Sequence, residues 1–178
     1  GAGGIALGFE WANFNTAYAF DVSEEAIATF STNIAPVSEV NDICAKDVRA
    51  KIRDAVQDQD WVLVGGPPCQ GFSQQRRGVD SDSRNNLVLA FADLVKDLAK
   101  NPPAAVILEN VTYLDSPRGR DILNQFISEM EGEGYSVRRC DFNSADFAVP
   151  QLRHRIILVC LRNELGGVFE GVEPLTDK

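Results

Sequence analysis

The sequence predicts an α/β fold: a doubly wound, mostly parallel sheet covered on both faces, with an antiparallel edge strand. Three observations predict it. Strand-like and helix-like segments alternate through the chain, which is the rhythm of strand–helix–strand crossovers. The runs "DWVLVGG" (60–66) and "AAVILENV" (104–111) read as strands buried on both faces, as in a parallel sheet. The last two strand-like runs, 135–143 and 155–162, have no helix between them and are expected to pair antiparallel at one edge.

Each element has a local reason. "GAGGIALGFE" is a glycine turn followed by helix-like residues. In a doubly wound fold such a turn follows a strand, and none precedes it here. The expectation is that the first strand is missing and that these residues are a piece of a longer protein. "TAYAFDV" (16–22) is short, apolar and aromatic, hence a strand. "SEEAIATFSTN" (23–33) is a helix: Ser23 can cap it, acids fill the first turn, and apolar residues recur at helical spacing. "PVSEVNDI" (36–43) is a weaker strand and "DVRAKIRDAV" (47–56) a short helix. "NNLVLAFADLVKDLAK" (85–100) is an amphipathic helix, and "RGRDILNQFISEMEGEG" (118–134) a helix that ends at a glycine cap. Residues 1–162 form one domain, and the acidic tail 163–178 is irregular.

The composition sets bounds. A chain of 178 residues, 44% hydrophobic and 24% charged, builds one packed core. No apolar run reaches the length of a membrane span, and the N-terminus lacks a secretory pattern. Four cysteines without a C-x-x-C pair, and a single histidine, argue against a zinc site and a disulfide framework. Cys44, Cys140 and Cys160 read as core filler. The net charge of -9 taken alone argues against a nucleic-acid partner. Its distribution softens that: residues 1–60 hold ten acids against four bases, whereas basic residues cluster at Arg76, Arg77 and Arg84, at Arg138 and Arg139, and at Arg153, His154 and Arg155. If those converge, one face is positive.

Several positions carry chemistry. Gly1, Gly3 and Gly4 can bring backbone close to a ligand at a helix N-terminus. Asp21 ends the next strand about 20 residues on, where a doubly wound fold sets a carboxylate on ribose hydroxyls. Asp42 ends a third strand and can accept from an adenine amine. Singly, each acid equally fits a helix cap or a solvated turn. Cys69 follows the strand 60–66 at the carboxyl edge, behind a Pro-Pro pair that stiffens the turn. Arg76 and Arg77 would make its thiol more acidic if folded over it, though a structural loop cysteine is an equal reading. Glu109 and Asn110 follow buried apolar residues directly, so Glu109 is expected to be poorly solvated and suited to act as a hydrogen-bonding acid. In "QLRHR" the alternation puts Gln151, Arg153 and Arg155 on one side, fit for a polar or anionic ligand or for a guarded edge strand.

Taken together, "GAGGIALGFE", "AFDVSEEAIATFSTN", "NDI", "GGPPCQGFS", "DSRNNL", "ENV" and "QLRHR" resemble, in order, the blocks of the C5-cytosine DNA methyltransferases. The resemblance covers nearly the whole chain. It implies a methyltransferase of the S-adenosylmethionine-dependent, Rossmann-like type, acting on C5 of a cytosine flipped out of double-stranded DNA. It assigns Cys69 as nucleophile at C6, Glu109 to N3 and the exocyclic amine, and Arg155 to the cytosine carbonyl, with Arg153 and Gln151 supporting. It assigns Gly1, Gly3, Asp21, Val22, Asp42, Ile43, Pro68 and Leu87 to S-adenosyl-L-methionine, and Ser73, Gln74, Gln75, Arg76, Arg77 and Asn110 to substrate and DNA. No metal is implied, and a monomer in a bacterial cytoplasm, serving a restriction–modification system, is expected. Two departures stand out. Asn41 occupies a position where the family often has Gly, a mild change. The family's target-recognition region and last motifs have no counterpart in these residues, so weak activity is expected of this piece alone. An RNA-methylating relative or a non-catalytic homologue are the alternatives. The sequence after Cys69 argues against the first, and intact Cys69, Glu109 and Arg155 argue against the second.

Overall fold

In the computed structural model the residues described are 1–57, 59–68, 87–117 and 119–175. The chain divides into two compact units, Gly1–Gln59 and Asp60–Lys178.

The first unit opens with helix α1 (Gly4–Trp11). Gly3 caps it in the left-handed region, at φ 99°, and a Cβ there would sit 2.7 Å from Ile34 and 2.8 Å from the Phe30 ring. Only glycine meets both conditions cheaply. Strand β1 (Ala19–Asp21) pairs in parallel with β2 (Ser38–Val40) across the crossover helix α2 (Glu24–Asn33). Ser23 caps α2 as expected, its hydroxyl accepting from the Ala26 N–H at 3.1 Å. Helix α3 (Lys46–Val56) buries Val48, Ile52 and Val56, a stripe at i, i+4 and i+8.

The second unit is a four-stranded sheet in the order β3-β4-β6-β5, from β3 (Val62–Gly65), β4 (Ala105–Val111), β5 (Tyr135–Asn143) and β6 (His154–Arg162). Strands β3 and β4 run parallel, and β6 runs against both β4 and β5. Helix α4 (Leu87–Asp97) presents Val88, Leu89, Phe91, Ala92, Leu94 and Val95 to the core. It packs on α5 (Arg120–Gly132), with the Phe91 and Phe126 rings stacked at 6.5 Å. The end of the sheet remote from the carboxyl edge is pinned to the loop before β4. Trp61 donates to the Asn101 carbonyl at 3.1 Å, Tyr135 to that of Pro103 at 2.8 Å and Arg162 to that of Pro102 at 2.9 Å.

The α/β class and every expected helix and strand are present, with three adjustments. The last two strands do pair antiparallel at one side, but the strand that opposes the others is β6, and it lies second from the edge; β5 is the edge. The longer β6 apolar run, with Ile156, Leu158 and Cys160 at 1% exposure or less, takes the inner place because burial there removes most apolar surface. The strands expected over 16–22 and 36–43 shorten to three residues each. At their carboxyl ends, side chains of Asp21 and Asn41 take the next backbone N–H groups, those of Ser23 and Asp42. Finally, of the three cysteines read as core filler only Cys160 is buried, its thiol pushed up to about 12 by desolvation. Cys140 is half-buried and Cys44 lies exposed in the turn before α3. Among the described residues no helix is long and apolar enough to cross a membrane.

Candidate active site

In the second unit the carboxyl ends of β3 and β4 and the start of β6 come together, because an antiparallel strand begins where its neighbours finish. Glu109 on β4 and Arg155 on β6 are 46 residues apart in sequence. The register Val111↔Arg155 and Glu109↔Ile157 sets them diagonally on one face. There the Arg155 Nε donates to Glu109 Oε1 at 2.7 Å. Both side chains are about one-fifth exposed, 22% and 23%. Arg153 adds a second guanidinium, its Nη2 3.9 Å from the same oxygen. Glu109 is thus largely shielded from solvent, as its apolar neighbours suggest, and two cations face it.

The segment leading to Cys69 approaches this pair closely. A Cβ on Gly66 would lie 2.9 Å from Glu109 Oε2, so the backbone reaches the carboxylate only because residue 66 has no side chain. Asn110 is the one buried polar residue among those described. Its Nδ2 donates to the Pro67 carbonyl at 2.9 Å and its Oδ1 accepts from the Val111 N–H at 2.9 Å. The asparagine beside the candidate acid thus fastens the proline turn to β4. Pro68 is exposed, and Leu87 opens α4 at the other end of the segment. Cys69, Ser73, Gln74, Gln75, Arg76 and Arg77 lie outside the described residues.

Gln151 and Arg153 precede β6, in the loop after a 3-10 turn (Ser144–Phe147), so the expected strand alternation over 151–155 holds only from His154 onward. Arg153 and Arg155 still converge on Glu109, whereas Gln151 is exposed. Asn143 pins this loop, its Oδ1 accepting from the Arg153 N–H at 3.0 Å; nothing in the sequence singled that residue out. A cleft of about 410 Å³ opens along the same edge, lined by Thr112, Phe142, Asn143, His154 and Arg155. Behind it, Arg139 bridges Asp141 at 2.7 Å and Asp115 at 3.0 Å, tying β5 to the turn that follows β4. Hydrogen bonding from Arg139 holds the Asp115 carboxyl below its ordinary value.

The first unit carries a second set. Asp21 ends β1. Its carboxylate accepts from the Ser23 N–H at 2.9 Å. Val22, next to it, is 68% exposed. Asp42 lies exposed after β2, its Oδ1 accepting from the Cys44 N–H at 2.8 Å, and Ile43 beside it is half-buried. Asp21 and Val22 thus lie together, as do Asp42 and Ile43, on the carboxyl side of the paired β1 and β2. Among the described residues no three His, Cys, Asp or Glu side chains group as metal ligands.

Comparison with known proteins places this arrangement. The chain is 34% identical to the type II methyltransferase M.NgoFVII of Neisseria gonorrhoeae over 176 residues, covering 98% of this chain and 45% of that protein. It is 31% identical to M.FnuDI of Fusobacterium nucleatum over 181 residues, covering all of this chain and 50% of that protein. The chain thus spans about half the length of these curated relatives. Its fold matches the crystal structures of Dnmt2 methyltransferases from S. pombe, with TM-score 0.72 at 18% identity, and from Spodoptera frugiperda, with TM-score 0.74 at 21% identity. These cover 98% and 97% of this chain and about half of theirs, 51% and 50%. The model of the C-5 cytosine-specific DNA methylases matches residues 1–176, and the chain belongs to that family.

Proposed function

We propose that residues 1–162 carry the catalytic and cofactor-binding part of a DNA (cytosine-5-)-methyltransferase of a type II restriction–modification system. The observation that carries this reading is the Glu109–Arg155 pair, 2.7 Å apart at the sheet edge, with the Asn110-clamped turn before Cys69 directly against it. Membership of the family and the type II names of the relatives support it.

The donor set of the first unit fits S-adenosyl-L-methionine. Asp21 and Asp42 are strand-end acceptors for ribose hydroxyls and the adenine amine, and the exposed Val22 with Ile43 offers apolar contact to a flat ring. Gly1 and Gly3 lie at the N-terminus of α1; the family resemblance also assigns Pro68 and Leu87 to this cofactor. When bound, the cofactor supplies an electrophilic methyl group. Cytosine C5 is a poor nucleophile until the ring is activated. Cys69 as thiolate adds through Sγ to C6, and the displaced π electrons pass into the ring. The Glu109 carboxyl, in its protonated form, donates to N3 and accepts from the exocyclic amine, and the Arg155 guanidinium donates to the carbonyl, so both stabilise the negative charge that develops on the ring. Arg153 holds Glu109 from a second direction. After substitution at C5, loss of the C5 proton expels the Cys69 sulfur and restores the ring. Ser73, Gln74, Gln75, Arg76, Arg77 and Gln151 contact the DNA from which the base has been flipped.

The test uses the full-length protein with duplex DNA carrying 5-fluorocytosine and S-adenosyl-L-methionine. Fluorine at C5 cannot leave as a proton does, so the adduct is trapped. A protein–DNA species that survives denaturation is expected from the native enzyme and is lost in Cys69→Ser. An adduct unaffected by that substitution would remove Cys69 from the scheme.

A further inference from the structure

We propose that Asn41 is a positioning residue for the adenosine end of the cofactor site, holding Asp42 in the orientation that recognises the adenine amine. This rests on the assignment of Asp21 and Asp42 to the cofactor made above. Asn41 is the first residue after β2, and it is bonded to both of those acids. Its backbone N–H donates to the Asp21 carbonyl at 3.0 Å, which fixes the end of β2 to the end of β1. Its side-chain Oδ1 accepts from the Asp42 N–H at 2.9 Å.

The other half of the amide is equally engaged. Nδ2 donates to Glu39 Oε1 at 2.8 Å and to Asp47 Oδ2 at 3.1 Å. Two carboxylates can only accept and a backbone N–H can only donate, so the chemistry of the partners allows a single orientation of the amide. The carboxylates are themselves anchored. Glu39 Oε1 also accepts from the Tyr18 hydroxyl and from Lys51 Nζ, each at 2.5 Å, and Lys51 reaches Asp47 at 2.9 Å. A frame spanning the approach to β1, strand β2 and helix α3 therefore ends in one amide oxygen on one N–H. On the far side of Asp42, the Cys44 N–H donates to its carboxylate and the Ala45 N–H to its carbonyl, both at 2.8 Å. The main chain of Asp42 is fixed from both directions, while its carboxylate stays exposed.

Glycine at 41 keeps the backbone bond to Asp21 and loses all three side-chain bonds. Asp42 would then sample several orientations, and a ligand would have to select one of them. The loss should fall on contacts made through Asp42 and spare those made through Asp21. That separates positioning from simple stapling of β2 to α3.

Calorimetry on the full-length protein tests this with two ligands: S-adenosylhomocysteine, and S-inosylhomocysteine, in which a carbonyl replaces the exocyclic amine. The native protein should prefer the adenosyl ligand. Asn41→Gly should weaken that ligand about tenfold and the inosyl ligand hardly at all, so that the preference collapses. Asp47→Asn, which leaves Asn41 in place but removes one anchoring charge, should reduce the preference by about two- to threefold. Thermal melts without ligand accompany both. Unchanged preference in Asn41→Gly overturns the proposal, as does an equal weakening of both ligands. If Asn41→Gly does not fold, unchanged preference in Asp47→Asn does so. A native protein that binds neither ligand would instead overturn the cofactor assignment itself.

Discussion

Single residues decide the geometry around the candidate acid. Glu109 is held by charge from Arg155 and Arg153 and is bounded by the absent side chain of Gly66. The nearest obstacle to a methyl group at 66 is the end of a flexible side chain, so the fold can accept Gly66→Ala by moving the carboxylate. The expected outcome is kcat lowered by about tenfold or more with the melting temperature nearly unchanged. Steady-state kinetics beside a thermal melt check both halves, and native turnover in this variant would show that the position of Glu109 oxygen does not matter. The sequence made Glu109 legible as a strand-end acid and Arg155 as one of several basic residues. Their pairing was not legible, because it depends on a register between strands 46 residues apart. Gly66 was visible only as a strand stop, and Asn143 not at all. Each matters through a neighbour that is distant in sequence.

At the scale of elements, apolar periodicity and the Ser23 cap located the α-helices among the described residues, and strand identity was correct for each expected run, whereas the 3-10 turn Ser144–Phe147 was not foreseen. The carboxyl ends of β1 and β2 were misjudged because Asp21, Asn41 and Asp42 use side chains to bond the N–H groups of Ser23, Asp42 and Cys44. The same turn chemistry left Cys44 exposed instead of in the core. The β2–α3 contact carries its own pH signature. Hydrogen bonds from Lys51, Tyr18 and Asn41 lower the Glu39 carboxyl from its ordinary 4.5 to about 2. A folded-state value below the unfolded one stabilises the fold above pH 4.5, and that stability is lost as pH falls from 4.5 towards 2. The melting temperature of the native protein should therefore exceed that of Glu39→Gln near neutrality, and the gap should close towards pH 2. A gap that is constant with pH would mean that the charge of Glu39 contributes nothing.

For the molecule as a whole, the two units differ in the apolar core each contains. Among the described residues, the buried apolar side chains of Gly1–Gln59 are Phe30, Val48, Ile52 and Val56, while the large majority belong to Asp60–Lys178. Burial drives folding, so the first unit should open at lower free energy. Native-state hydrogen exchange should find the slowest amides in β4 and β6, and faster exchange throughout β1 and β2. Saturating S-adenosylhomocysteine should slow exchange in β1 and β2 most, because a ligand adds its binding energy to the state that holds it. Equal protection of both units without ligand would refute this ranking.

The inner position of β6 bears on how the protein is made. Among the described strands β6 comes last in sequence, yet it lies between β4 and β5, which are synthesised before it. On the ribosome β4 can pair with β3, but its other edge waits for a strand not yet translated. During that interval an apolar edge is open to mispairing with β5 or with another chain. Contacts of such long sequence separation also form slowly. The pairing of β6 with β4 is also what brings Arg155 to Glu109, so the nascent chain has no assembled acid–guanidinium pair until β6 has docked.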